Sequence, residues 1–92
     1  LYAYEYIKNE IPEIKAVISD ATYLLWLGYD KNFGKSSDVA EIIRKKTGLY
    51  LCAGEQYGKG GEYFLRMNIA CPRSSLEDGL KRLKAGVGFL VK

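Results

Sequence analysis

The sequence contains no histidine and only two cysteines, Cys52 and Cys71. A closed site of Cys and His ligands needs four of them, so a zinc centre of that kind is excluded. Two cysteines are also too few for a disulfide framework. Both fall in stretches that read as strands with apolar neighbours, where a free thiol behaves as a small buried hydrophobe. No apolar run approaches the roughly 18 residues that a membrane span requires. The opening residues, Leu1-Tyr2-Ala3-Tyr4-Glu5, have neither the basic start nor the long apolar stretch of a secretory leader. Together these absences point to a cytoplasmic protein. There is no internal repeat, linker or low-complexity segment. An initiator methionine is missing too, so the sequence reads as a piece of a longer chain.

What is present is ordinary for a globular protein: 48% hydrophobic and 27% charged residues. Ninety-two residues (1–92) make one domain, with no room for a second core. The net charge is +3, and the basic residues are spread along the chain. Nucleic-acid modules concentrate such residues on one face. Here Arg44-Lys45-Lys46 and Lys81-Arg82-Lys84 read as solvated helix faces.

In chain order, residues 1–11 read as a helix, with Tyr4, Ile7 and Ile11 on one face and Pro12 as the stop. Residues 14–19 form a short strand, and Asp20-Ala21 a turn. Residues 22–29 are apolar on both faces, which predicts a central strand covered on two sides with Trp26 packed inside it. A loop of turn formers spans 30–37. Next comes a helix over 38–47, capped by Ser36 or Ser37, with Val39, Ile42 and Ile43 as its apolar stripe. Gly48 is placed to end it in the left-handed conformation. Residues 49–53 make another short strand. The glycine-rich run 54–61 has the wrong spacing for a phosphate loop and precedes a strand instead of a helix, so it reads as a flexible connection. The last helix runs over about 76–86, with Ser74 and Glu77 at capping-box spacing and Leu76, Leu80, Leu83 and Val87 buried. Phe89-Leu90-Val91 is an apolar tail. Strands mixed with helices over so short a chain predict an α/β fold, a two-layer sandwich.

The most informative strand is residues 63–71, ended by Pro72. Tyr63, Leu65, Met67 and Ile69 alternate onto one face and suit a core. Phe64, Arg66, Asn68 and Ala70 take the other. Arg66 therefore stands mid-strand among hydrophobic neighbours. Two readings are open from the pattern. One is a structural ion pair or a water-facing edge arginine, because a guanidinium is seldom buried without a partner. The other is a planar, two-pronged grip on a carboxylate or phosphate.

The run Phe64-Leu65-Arg66-Met67-Asn68-Ile69-Ala70-Cys71-Pro72-Arg73 resembles the C-terminal signature of class I/II aminotransferases, enzymes that use pyridoxal phosphate (PLP). Pro12-Glu13-Ile14-Lys15, Ala21-Thr22-Tyr23-Leu24-Leu25-Trp26-Leu27 and the glycines of 54–61 follow the same family's order. The Thr-Tyr-Leu-x-Trp-Leu block resembles its cystathionine β-lyase and C–S lyase branch. An acidic residue usually follows that block, and here Gly28 stands there. The resemblance implies the small C-terminal domain of a fold-type-I enzyme, with Arg66 gripping the α-carboxylate of an amino-acid substrate. It further implies a PLP-binding large domain in the same chain, a homodimeric parent, and no PLP on this stretch alone, since none of its lysines matches the Schiff-base motif. Two other classes compete. A free-standing RNA-binding module would carry a basic-aromatic strand, which Lys59-Gly60-Gly61-Glu62-Tyr63-Phe64 begins but Glu62 interrupts. A regulatory domain binding a free amino acid is the third.

Overall fold

The computed structural model describes residues 2–18, 23–54 and 62–90. The expected turn at Asp20-Ala21 and the glycine-rich connection 55–61 lie outside the described residues. Helix α1 spans Tyr2–Glu10 and ends before Pro12, where the backbone N–H of Ile11 still donates to Ile7. Strand β1 covers Lys15–Ile18 and β2 covers Leu24–Gly28. A 3-10 turn at Lys31–Phe33 leads into α2, Ser36–Thr47. Strand β3 is the pair Cys52–Ala53, β4 is Phe64–Asn68, and α3 runs over Arg73–Leu90.

The four strands form one antiparallel sheet in the order β1-β2-β4-β3. Alternation sends Leu25 and Leu27 of β2, with Leu65 and Met67 of β4, to one face. All four are buried, and they form a single core with Ala3 and Ile7 of α1, Val39 and Ile43 of α2, and Leu80, Leu83 and Val87 of α3. The helices thus make one layer and the sheet the other, the two-layer sandwich that the sequence predicts.

Several local expectations are corrected. β2 is central, but among the described residues only one of its faces is covered. Leu24 and Trp26 point the other way and are half-buried. Helix α2 begins two residues earlier than expected, so Ser36 and Ser37 belong to its first turn. Its N-cap is Lys35, which makes no side-chain cap bond. Fully buried Ser36 is tied instead through its backbone N–H, which donates to the Glu62 carbonyl at 2.6 Å. Ile42 is exposed, leaving Val39 and Ile43 as the buried stripe. Helix α3 starts at Arg73, so Ser74 and Glu77 are both inside it. Glu77 pairs with Arg73 at 3.2 Å, and that guanidinium also lies 3.8 Å over the Tyr2 ring. The helix continues through Leu90, past the expected end at Gly86. Cys71 is exposed and lies beyond β4, so it is no buried hydrophobe.

Gly48 behaves as expected. It takes φ 80°, and its N–H closes the helix on the Arg44 carbonyl at 2.8 Å. Arg82 of α3 reaches across to donate to the Thr47 carbonyl, while its Nε pairs with Asp78 at 2.8 Å. A cation is thereby placed at the negative end of α2.

Candidate functional site

The face of the sheet turned away from the helices carries the candidate site. Register fixes its membership. Val17 of β1 stands directly opposite Trp26 of β2, Trp26 opposite Arg66 of β4, and Arg66 opposite Cys52 of β3. Directly opposed residues share a face, with Cβ atoms about 4.5–5.5 Å apart. These four side chains therefore form one transverse row across all four strands. Arg66 is the cation in the row and is half-buried. Its Nη2 donates to Cys52 Sγ at 3.8 Å. A second row, one residue pair along, holds Lys15, Gly28 and Phe64. Here a Cβ built on Gly28 would meet Phe64 Cε2 at 3.0 Å. The aromatic ring thus fills the space beside position 28, where the resemblance has an acidic side chain. Lys15, Val17, Gly28 and Phe64 also line an open cleft of about 580 Å³.

The surroundings hold this face in place. Tyr29, just after β2, shares its single hydroxyl proton between the carbonyls of Gly34 at 3.0 Å and Glu62 at 3.3 Å. Its ring stacks on Phe33 and meets Tyr63 edge-on. The exit of β2 is thereby tied to the entry of β4. Asn68, at the end of β4, turns its Oδ1 back to accept from the Ala70 N–H at 2.8 Å, closing the strand.

The structure brings Arg66 together with two residues that the sequence presents as packing. Trp26 reads as interior because its neighbours are apolar, and Cys52 reads as a small hydrophobe. What joins them to Arg66 is the pairing of strands distant in sequence, and no local pattern reports that. Chemically, one guanidinium among aromatic and apolar neighbours is suited to a small carboxylate-bearing ligand. A phosphate would be better served by a glycine-rich turn or a helix N-terminus. Among the described residues this face consists of strand. No group of three or more His, Cys, Asp or Glu side chains among them could hold a metal.

The comparisons with known proteins agree with the fold. No family model matches the chain. Cystathionine beta-lyase PatB of Bacillus subtilis is 35% identical over 82 residues, which cover 89% of this chain and 21% of that protein. Protein MalY of Escherichia coli is 29% identical over 82 residues, with the same shares of 89% and 21%. Among solved structures, cystalysin from Treponema denticola, which contains a pyridoxal 5'-phosphate cofactor, superposes with a TM-score of 0.82. It is 28% identical, over 97% of this chain and 23% of its own. The chain is homologous to the C-terminal portion of the fold-type-I PLP-dependent aminotransferases and C–S lyases. The homology is to the cystathionine beta-lyase branch that includes PatB and MalY. It spans about a fifth of the length of these curated relatives.

Proposed function

We propose that this chain is the substrate-orienting C-terminal domain of a PLP-dependent aminotransferase or C–S lyase acting on amino acids, with Arg66 as the group that grips the substrate α-carboxylate. The observation that carries the reading is the placement of Arg66. It stands mid-strand on the face of the sheet that no described helix covers, at the position that the sequence resemblance gives to the family's carboxylate-binding arginine. Its planar fork can donate two parallel N–H bonds to a carboxylate, which fixes orientation as well as charge. Trp26 and Phe64 share the face and lower the water content around the pair, which strengthens a charge-assisted bond.

PLP in the large domain supplies the electron sink for chemistry at the amino acid's Cα. Among the described residues the strand face suits a carboxylate and presents no phosphate cradle, so the reading assigns the cofactor to the large domain. The chain's own work is to hold the substrate carboxylate and so aim the Cα substituents. The same reading gives the parent a PLP-binding large domain in the same chain, a homodimeric state and a cytoplasmic location, with no nucleic acid or membrane as partner.

The test is Arg66→Lys in the full-length enzyme. Lysine keeps the charge and loses the fork, so kcat/KM for L-cystathionine falls roughly tenfold or more, since charge-assisted bonds are worth about 1.5–3 kcal/mol. PLP absorbance and folding stay as in the native enzyme. An unchanged kcat/KM removes Arg66 from the site, and an unfolded variant returns it to a purely structural role. Titrating PLP into the 92-residue chain and reducing with borohydride checks the cofactor reading. A single saturable lysine adduct would overturn it.

A further inference from the structure

We propose that Lys15 is a specificity-determining residue: its ammonium binds a carboxylate at the far end of the amino-acid substrate's side chain. The inference rests on the reading of this sheet face as the substrate side. It adds the class of substrate, an amino acid whose long, apolar side chain ends in a carboxylate. It asks nothing of Arg66 beyond its place on that face.

Lys15 opens β1 and stands directly opposite Gly28 of β2. Directly opposed residues are the nearest cross-strand neighbours. Here that neighbour has no side chain, so the strand pairing supplies no counter-charge. Phe64, opposite Gly28 on its other side, brings its ring into the space, where a Cβ on the glycine would meet Cε2 at 3.0 Å. Lys15 is exposed and, among the described residues, forms no ion pair. Val17 and Phe64 give the cleft of about 580 Å³ apolar walls, and Lys15 gives it a cation. Two carboxylates, Glu13 and Asp30, also line it. Asp30 is engaged in the turn after β2, where it accepts the Asn32 N–H at 2.8 Å. Glu13 precedes β1, so Lys15 is the charged residue that strand pairing fixes in the row with Gly28 and Phe64.

The cleft adjoins the row of Arg66. Val17 belongs to that row, and Phe64 is two residues from Arg66 on the same strand and face. Two strand spacings and one step of two residues put the Cα atoms of Lys15 and Arg66 about 12 Å apart. Both side chains are long, so an extended substrate held at its α-carboxylate by one can reach the other.

The experiment titrates two probes against the PLP absorbance band of the full-length holoenzyme: S-carboxypropyl-L-cysteine and its amide, S-carbamoylpropyl-L-cysteine. They differ only in the terminal charge, so their affinity ratio reports that charge and not the general state of the site. The native enzyme favours the acid about two- to fivefold, the worth of an exposed ion pair. Lys15→Met removes the preference, and Lys15→Arg, which keeps the charge, restores it. Equal native affinity for the two probes overturns the inference, as does an acid preference that survives Lys15→Met. A native preference for the amide overturns it too, by showing that Glu13 and Asp30 set the sign of the cleft. Arg66→Lys separates the two readings. If it weakens neither probe, the α-carboxylate grip fails, and the Lys15 ratio still decides this inference. If it weakens both while Lys15→Met leaves the ratio as in the native enzyme, only the role of Lys15 fails.

Discussion

Gly86 of α3 lies so close to Ile43 of α2 that a Cβ on the glycine would stand 3.0 Å from both Cγ1 and Cγ2 of the isoleucine. Ile43 is fully buried and β-branched, so it has little room to yield. The two helices meet here because one of them has no side chain. Gly86→Leu is therefore expected to lower stability by about 2 kcal/mol or more through overpacking. Urea denaturation measures it, and Ile43→Ala in the same chain should recover part of the loss although it destabilises alone. Losses that simply add would place the clash elsewhere.

Gly48 offers a second stability test. With φ 80° it occupies backbone space that an L-residue enters only at about 1–2 kcal/mol. A Cβ there would also crowd Arg82 Nη1 at 2.8 Å. Gly48→Ala should cost about 1–2 kcal/mol, and Gly48→Asn distinctly less, because Asn tolerates the left-handed region. Thermal unfolding of the two variants decides it, and equal losses would argue against the conformational cause.

Trp26 is a spectroscopic handle on the open face. It is the single tryptophan of the chain and is half-buried. Acrylamide should quench its fluorescence in the isolated chain at a rate between those of a buried and a free indole. In a full-length enzyme retaining Trp26 as its only tryptophan, quenching should fall as the large domain covers this face. Equal quenching in both would mean that the face stays open to water.

The ammonium of Lys84 is held above its ordinary pKa, first by its hydrogen bond to Glu10 at 3.0 Å and then by that carboxylate's charge. A folded value above the unfolded one means that the contribution is complete below the unfolded value. It is lost as pH rises through the folded value. The difference in Tm between the native chain and Lys84→Met should therefore be constant near neutrality and vanish well above roughly pH 10.4. It is a small effect, since both partners are about half exposed. A difference that persists in strong alkali would assign it to the packing of the lysine stem.

Much of the fold was legible because it is local. Alternation in β4 marks Leu65 and Met67 for the core and sends Arg66 the other way. The spacing of Leu80, Leu83 and Val87 shows the buried stripe of α3, and Gly48 announces the end of α2. The illegible parts depend on partners distant in sequence. Ser36 resembles a cap until its N–H is seen bonded to Glu62. Leu24 and Trp26 look interior because apolar residues do not say which layer covers them. Cys52 gains its meaning only through its register with Arg66, fourteen positions away.

That register ties the site to the fold. Leu65 and Met67 are anchored in the core on either side of Arg66, so β4 cannot slide by one residue without burying a guanidinium and exposing two hydrophobes. The free energy that collapses the core also aims the arginine. A one-residue deletion within β4 would invert part of the strand, moving the cation to the inner layer and leaving the outer face without it. A substitution on the outer row alters one side chain, whereas an insertion or deletion turns over the faces of the residues beyond it.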